Sequence, residues 1–338
     1  MSFINVMPSR KSLFGCFMVF LALNLGAVAS MISYSSFELK FQDLWEFWFS
    51  FDETSLKHQI LSSLRTPRVL ASILIGVNLA IAGLLMQGLT ANPLASPSIL
   101  GINAGASCFI ALSSMNLVLL PALPLPISAL LGGVVSGLLV LSLGGFFTGQ
   151  SHPIKLVLAG IAVNALLVGI TRSALILADD MAYSVLNWLA GSIANVTWEN
   201  WAQFWPVSVV GIILAFSLAR NLNLLTLGDD IATGLGVNLT RTRVIACIAV
   251  LLLTTSSVAI AGPIAFVGLL VPHVARKLVG TNHFVLLPVT ATLGASLLLW
   301  SDVISRMVAF PAETPVGVIT ALIGSPFFIA LAARSKVS

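Results

Sequence analysis

The chain has 338 residues, of which 58% are apolar and only 8% charged, with a formal net charge of +4. Soluble domains carry about a quarter charged residues, so the composition excludes one and indicates an integral membrane protein. Membrane barrels alternate apolar and polar residues. The continuous apolar runs here predict instead an all-α polytopic protein, and at roughly 20 residues per crossing about ten transmembrane helices fit.

In chain order, Arg10 and Lys11 precede an apolar run from Leu13 to Ile32, and Ala-Val-Ala-Ser at 27–30 resembles a signal-peptidase site. A run of about 20 residues is long for a signal core and sufficient for a span. An uncleaved first helix is therefore expected, with a cleaved signal as the alternative. Hydropathy places spans near 13–32, 68–89, 98–115, 127–147, 155–178, 205–219, 243–262, 264–279, 286–303 and 316–333, all within one transmembrane domain over 1–338. With the N-terminus in the cytoplasm, the inside holds Arg10, Lys11, Lys155, Arg220, Arg241, Arg243, Arg276, Lys277, Arg334 and Lys336. Lys40, Lys57, Arg65, Arg68, Arg172 and Arg306 fall outside, and the reverse threading fits the positive-inside rule less well. Both termini come out cytoplasmic. Basic residues scattered at helix ends also explain the net charge without a nucleic-acid partner.

The stretch GLTANPLASPSILG, 88–101, sets Asn92 before Pro93 and Ser96 before Pro97 between two apolar runs. Proline disfavours helix at the preceding residue, and Asn and Ser cap broken ends. Non-helical backbone at membrane depth is tolerated where protein buries it or where it lines a water-filled cavity. The stretch therefore reads either as a polar-edged constriction at the inner mouth of a pathway or as a tight connector. A second break, AGPIAFVGLLVPHVARKLVG at 261–280, contains Pro263 and Pro272. Residues 68–83 and 243–262 both start Arg-Val-aliphatic-Ala and end Ala-Ile-Ala-Gly, which suggests inverted-topology repeats. Gly133, Gly137, Gly76 and Ala80 recur at helix-packing spacing.

Enzyme chemistry is absent from the pattern: there is no GxSxG, no HExxH and no carboxylate pair within a span. GGFFTGQS at 144–151 has Gln150 where a phosphate loop needs lysine. Cys16, Cys108 and Cys247 lie in apolar runs without metal spacing, and His58, His152, His273 and His283 share none. Mid-membrane charges are scarce, so the energy source for transport is expected elsewhere. Arg172, near the outer surface, either snorkels or attracts an anionic solute. Asn164 on the fifth span either faces a pathway or bonds a neighbouring helix. The longest inner connection, 220–243, holds a short helix that Gly228, Asp229 and Asp230 can start and Gly234 and Gly236 can end. Such a helix suits docking to a cytoplasmic motor.

The motifs LRTPRVLASILIGVNLAIAG, NPLASPSILGINAGAS, KLVLAGIAVNALL, WLAGS, LGDDIATGLGVNLTRTR, AGPIAFVGLLVPHVAR and ETPVGVITALIGSPFFI occur in this order. Together they resemble the FecCD family, the ten-helix (BtuC-like) permeases of bacterial type II ABC importers for ferric siderophores, haem and cobalamin. Within it, the ferric-dicitrate branch looks most similar. The resemblance implies an inner-membrane permease dimer, homo- or heterodimeric, over two cytoplasmic ATPase subunits that carry ATP and Mg, fed by a periplasmic binding protein. This chain would itself bind no cofactor and catalyse nothing. The resemblance further implies that Arg65, Arg68 and Arg306 dock the binding protein as exposed ion pairs. It places the cytoplasmic gate at Asn92, Pro93 and Leu94 together with His152, Pro153 and Ile154, and the ATPase coupling helix at 229–236. The cobalamin-type pattern has small hydroxyl residues where this chain has His152 to Ile154. Alternatives to a ferric-siderophore permease are a cobalamin or haem permease, a proton-coupled carrier, and a membrane enzyme or assembly scaffold.

Overall fold

The computed structural model describes residues 10–34, 39–114, 123–145, 153–177 and 188–334, and their regular structure is entirely helical. Helix α1 spans Arg10–Ile32, α2 Phe41–Phe49 and α3 Leu56–Ile60. A π turn, Leu61–Arg65, carries α3 directly into α4, Thr66–Thr90. A 3-10 turn at Pro97–Leu100 leads into α5, Ile102–Ser114, and α6 and α7 follow at Leu125–Leu143 and Pro153–Leu177. Helices α8 (Trp198–Ser217), α9 (Ala219–Leu225) and α10 (Asp229–Gly234) precede α11 (Leu239–Ala261), α12 (Val267–Val279), α13 (His283–Val308) and α14 (Val316–Arg334).

A helix stands at each of the ten expected segments, and α1, α3–α4, α6, α7, α8, α11 and α13 are long and apolar enough to cross a membrane. Several boundaries differ from the hydropathy reading by a few residues, and three of the differences have a visible cause. Helix α8 starts at Trp198 rather than 205, because Thr197 caps it: its Oγ1 accepts from the Asn200 N–H at 3.3 Å, and Asn200 Oδ1 accepts from the Thr197 N–H at 3.1 Å. The polar residues Glu199, Asn200 and Gln203 hid that first turn from a hydropathy average. Helix α5 begins only after Gly101, whose φ of 65° ends the 3-10 turn. Helix α12 begins at Val267, after the non-helical stretch 262–266.

Helices α4 and α11 form the centre: 78% and 72% of their apolar windows are buried, against 17% for α1 and 28% for α7. Helix α4 packs on α11, α12 and α13, and α5 packs on α6. Small residues set these approaches. A Cβ on Gly76 would collide with the Gly294 carbonyl of α13, and one on Gly294 would meet Ala80. A Cβ on Gly83 would strike the backbone of Gly268 on α12, and Gly105 and Gly132 block one another across α5 and α6. The paired Ala-Ile-Ala-Gly signatures end differently. Helix α11 stops at Ala261, with Gly262 at φ 70°, whereas α4 stays helical through Gly83 to Thr90. Gly83 is kept for backbone approach, Gly262 for a turn.

Gly83→Val should force α4 and α12 apart and destabilise the protein by at least the roughly 1–3 kcal/mol typical of overpacking. A thermal melt of the detergent-solubilised chain should show a clear drop. Gly169→Ala, at a position with no atom within 4 Å of a new Cβ, should melt like the parent.

Candidate functional site

The arginines expected at the outer face do come together, but not as exposed docking pairs. Arg65 closes the π turn, Arg68 lies in the first turn of α4, and Arg306 lies near the end of α13; all three are buried. Arg68 and Arg306 share one partner, Asp302, which has no exposed surface. Arg68 Nε donates to Asp302 Oδ1 at 2.9 Å and its NH1 to Glu313 Oε1 at 2.9 Å. Arg306 NH2 donates to Asp302 Oδ2 at 2.8 Å, and Arg306 also donates to the carbonyls of Ser30 and Ser33 on and just beyond α1. Ser30 Oγ completes the set with a 2.9 Å bond to Asp302 Oδ2. A charge taken out of water must be paired and fully hydrogen-bonded, and Asp302 meets that demand for two guanidiniums at once. Arg65 is the remaining cation. Its NH2 donates to the Tyr34 carbonyl at 3.3 Å, while NH1 is buried with no hydrogen-bond partner among the described residues. These three arginines, Tyr34, Phe310 and Glu313 border a cavity of about 270 Å³.

Beside it, across residues 194–195, lies a larger cavity of about 530 Å³ bordered by Trp188, Ser192, Asn195, Asn200, Ala261 and Pro315. The segment 188–196 is pinned by the Ser192 N–H on the Ala261 carbonyl (2.8 Å) and by the Gly317 N–H on the Gly191 carbonyl (2.9 Å). Sequence reasoning missed this cavity, although the Trp-Leu-Ala-Gly-Ser motif and the Thr197–Asn200 cap both flank it.

The two broken segments meet inside the helix bundle. Helix α4 ends at Ala91, left-handed at φ 48° with its N–H on the Gln87 carbonyl. Asn92 caps a turn rather than a helix, its Oδ1 accepting from the Leu94 N–H at 2.9 Å, and the Ser96 side chain makes no cap bond. Asn92 and Pro93 are exposed and Leu94 is half-buried. Beyond them, Pro97 lies against Gly268 of α12. Gln87 clamps the junction: its Nε2 donates to the carbonyls of Gly268 and Leu269 at 3.3 Å, and its Oε1 accepts from Arg276. Between the breaks lies a cavity of about 180 Å³ bordered by Ser96, Ser98, Asn103, Thr254, Ala265 and Phe266. Thr254 Oγ1 and Asn103 Oδ1 are buried without a hydrogen-bond partner among the described residues. A water takes roughly 30 Å³, so this space, largely apolar but edged by Ser96, Ser98, Asn103 and Thr254, has room for several.

Of the other expected gate residues, His152 lies outside the described residues. Pro153 opens α7, which packs on the 3-10 turn at 97–100, and Ile154 in its first turn is exposed. Asn164 and Arg172 both project from the exposed side of α7. The expected short inner helix is α10. Gly228 enters it at φ 99°, Asp229 and Asp230 fill its first turn, Gly234 is its last residue, and Gly236 leaves at φ 87°. Asp229 pairs with Arg243 of α11 at 2.6 Å, and Leu227, Ile231 and Leu235 stand exposed. Among the described residues no cluster of His, Cys, Asp or Glu could hold a metal.

A bundle of long apolar helices crossed by two broken segments defines a multi-pass membrane protein. The model of the FecCD transport family matches residues 19–334, and the chain belongs to that family. It is 43% identical over 318 residues to the Fe(3+)-citrate import system permease protein YfmD of Bacillus subtilis, covering 94% of this chain and 91% of that relative. It is 47% identical over 281 residues to the Fe(3+) dicitrate transport system permease protein FecC of Escherichia coli, covering 83% and 85%. A solved structure described as an inward-facing metal-chelate type ABC transporter superposes with a TM-score of 0.81 at 30% identity, covering 95% of this chain and 99% of that one.

Asp302→Asn leaves Arg306 and Arg68 with one buried charge too few. It should cost roughly 3–5 kcal/mol, the usual loss when one partner of a buried pair is removed. The melting temperature in detergent should fall well below that of Arg65→Gln, which breaks no ion pair.

Proposed function

We propose that this chain is the membrane subunit of an ATP-driven importer that carries a ferric siderophore, with ferric citrate the first candidate, from periplasm to cytoplasm. It would work in the bacterial inner membrane with both termini cytoplasmic, beside a second permease subunit. Two cytoplasmic ATPase subunits would bind ATP and Mg, and a periplasmic binding protein would deliver the chelate. The observation that carries the reading is the meeting of two non-helical segments around a cavity that holds Thr254 Oγ1 and Asn103 Oδ1, buried and unbonded among the described residues, in a FecCD-family chain. Hydrocarbon tolerates such backbone only where protein or water shelters it. The relatives named for Fe(3+)-citrate support the substrate.

The roles follow from position. Docking of the binding protein would centre on Arg65, whose NH1 has no hydrogen-bond partner among the described residues, beside the Arg68–Asp302–Arg306 network. The 530 Å³ cavity beside it would receive the chelate, and Asn164 and Arg172 on α7 would border the route between subunits. Asn92, Pro93 and Leu94, with the start of α7 at His152 to Ile154, would narrow the inner end. Helix α10 would seat its exposed Leu227, Ile231 and Leu235 on an ATPase subunit. The paired Asp229 and Arg243 would pass that movement into α11, whose Thr254 borders the inner cavity.

Reconstitution with candidate ATPase and binding-protein partners tests the reading. ATPase turnover should rise on adding binding protein loaded with ferric citrate. Uptake that survives ATP depletion but collapses with the proton gradient would contradict it. Ile231→Asp should weaken ATPase capture by about thirtyfold, the effect of losing an interface anchor worth about 2 kcal/mol, as measured by titrating the ATPase onto the permease in nanodiscs.

A further inference from the structure

Helix α2 has three faces. Leu44 is buried and Phe47 half-buried, packing with Met31, Leu39, Leu61 and Leu299 against the outer ends of α1, α4 and α13. Gln42, Asp43 and Glu46 form a polar edge, where Gln42 Nε2 donates to Glu46 Oε1 at 2.8 Å and Asp43 pairs with Lys57 of α3 at 2.7 Å. Burial raises the Asp43 carboxyl, but the Lys57 ammonium and the Lys40 N–H together outweigh it and hold it below the ordinary carboxylate value. The third face is large, apolar and bare. Phe41, Trp45, Trp48 and Phe49 fall within about 100° of arc at 100° per residue, and each is more than half exposed.

This face is rigidly held. Trp45 and Phe49 lie 4.4 Å apart between ring centroids. The loop after α2 is locked by Phe51 stacked on His58 at 5.7 Å and by the Asp52 N–H on His58 Nδ1 at 2.9 Å. Its neighbours are of the same kind. Phe14, Phe17, Phe20 and Leu25 stand exposed along α1, the apolar membrane helix that leads into α2. Trp and Tyr concentrate where acyl chains meet headgroups, and short helices with one aromatic-rich face lie flat at that depth.

We propose that α2 is an interfacial anchor that lies in the outer leaflet, with Phe41, Trp45, Trp48 and Phe49 among the upper acyl chains and the Gln42–Glu46 edge in water. The occupant of the aromatic face is phospholipid, because α2 follows directly in sequence on a membrane helix whose exposed side chains, Phe14, Phe17, Phe20 and Leu25, are equally apolar. The anchor is independent of the solute carried. Since Leu44 and Phe47 seat α2 on the end of α1, from which Ser30, Ser33 and Tyr34 reach Arg306 and Arg65, it fixes the arginine-lined cavity to a defined height above the bilayer.

The test uses the full chain with its three cysteines replaced, assembled with its partner subunits in vesicles of phosphatidylethanolamine and phosphatidylglycerol. Trp45→Cys, Trp48→Cys and Gln42→Cys each carry a nitroxide label. Labels at 45 and 48 should be relaxed several-fold more by oxygen than by a water-soluble nickel chelate, the signature of acyl-chain depth, with the opposite order at 42. Equal nickel accessibility at 45, 48 and 42 would overturn the proposal. So would protection from nickel at 45 and 48 that arises only on adding the periplasmic binding protein, which would make the face a protein-docking surface.

Discussion

Hydrocarbon offers no hydrogen bonds, and every peptide group released from a broken helix must find a partner within the protein or its water. Two segments of this chain, 91–101 and 262–266, break that way, and the molecule is arranged to shelter them. Helices α4 and α12 approach at Gly83 and Gly268 with no room for a side chain. Gln87 then bonds the α12 carbonyls and Arg276 at the same junction. What remains between the breaks is a small cavity edged by Ser96, Ser98, Asn103 and Thr254 rather than solid packing. Close backbone packing and an open gap thus meet at the same few residues, which is what the proposed gate needs.

The outer end solves a different problem. Charge there is buried rather than presented: Asp302 serves Arg68 and Arg306 together and ties α4 and α13 to Ser30 of α1. The network makes a stiff rim for two adjoining cavities, with Arg65 as the cation left over. At the far end of α11, α10 is tied to it through Asp229 and Arg243 and buries Ala232, while Leu227, Ile231 and Leu235 stay exposed.

Much of this was legible in the sequence, for identifiable reasons. Long apolar runs announce spans, X-Pro pairs announce the breaks, and Gly228, Asp229 and Gly236 announce α10, because each signal is local. The burial of Arg68 and Arg306 was not legible, since Asp302 lies 234 residues from Arg68; the Asp302–Arg306 spacing within an apolar helix was the available hint. Helix α2 escaped because its nine residues are too short for a hydropathy window. The start of α8 escaped because its capping residues are polar. The repeated Ala-Ile-Ala-Gly marks no shared boundary, since one glycine serves packing and the other a turn.

The central claim is that the meeting point of the two broken segments is wet. It is tested most directly by placing single cysteines at Ser98 and Thr254 in a protein lacking Cys16, Cys108 and Cys247, reconstituted with its partners and cycled with ATP. A small membrane-impermeant thiol reagent should modify both positions, and should leave a cysteine at the exposed α7 position Leu158 far less reactive in its lipid or subunit contact. Positions 98 and 254 remaining inert throughout the cycle would mean that the breaks are sealed in dry core, and the transport mechanism built on them would fail.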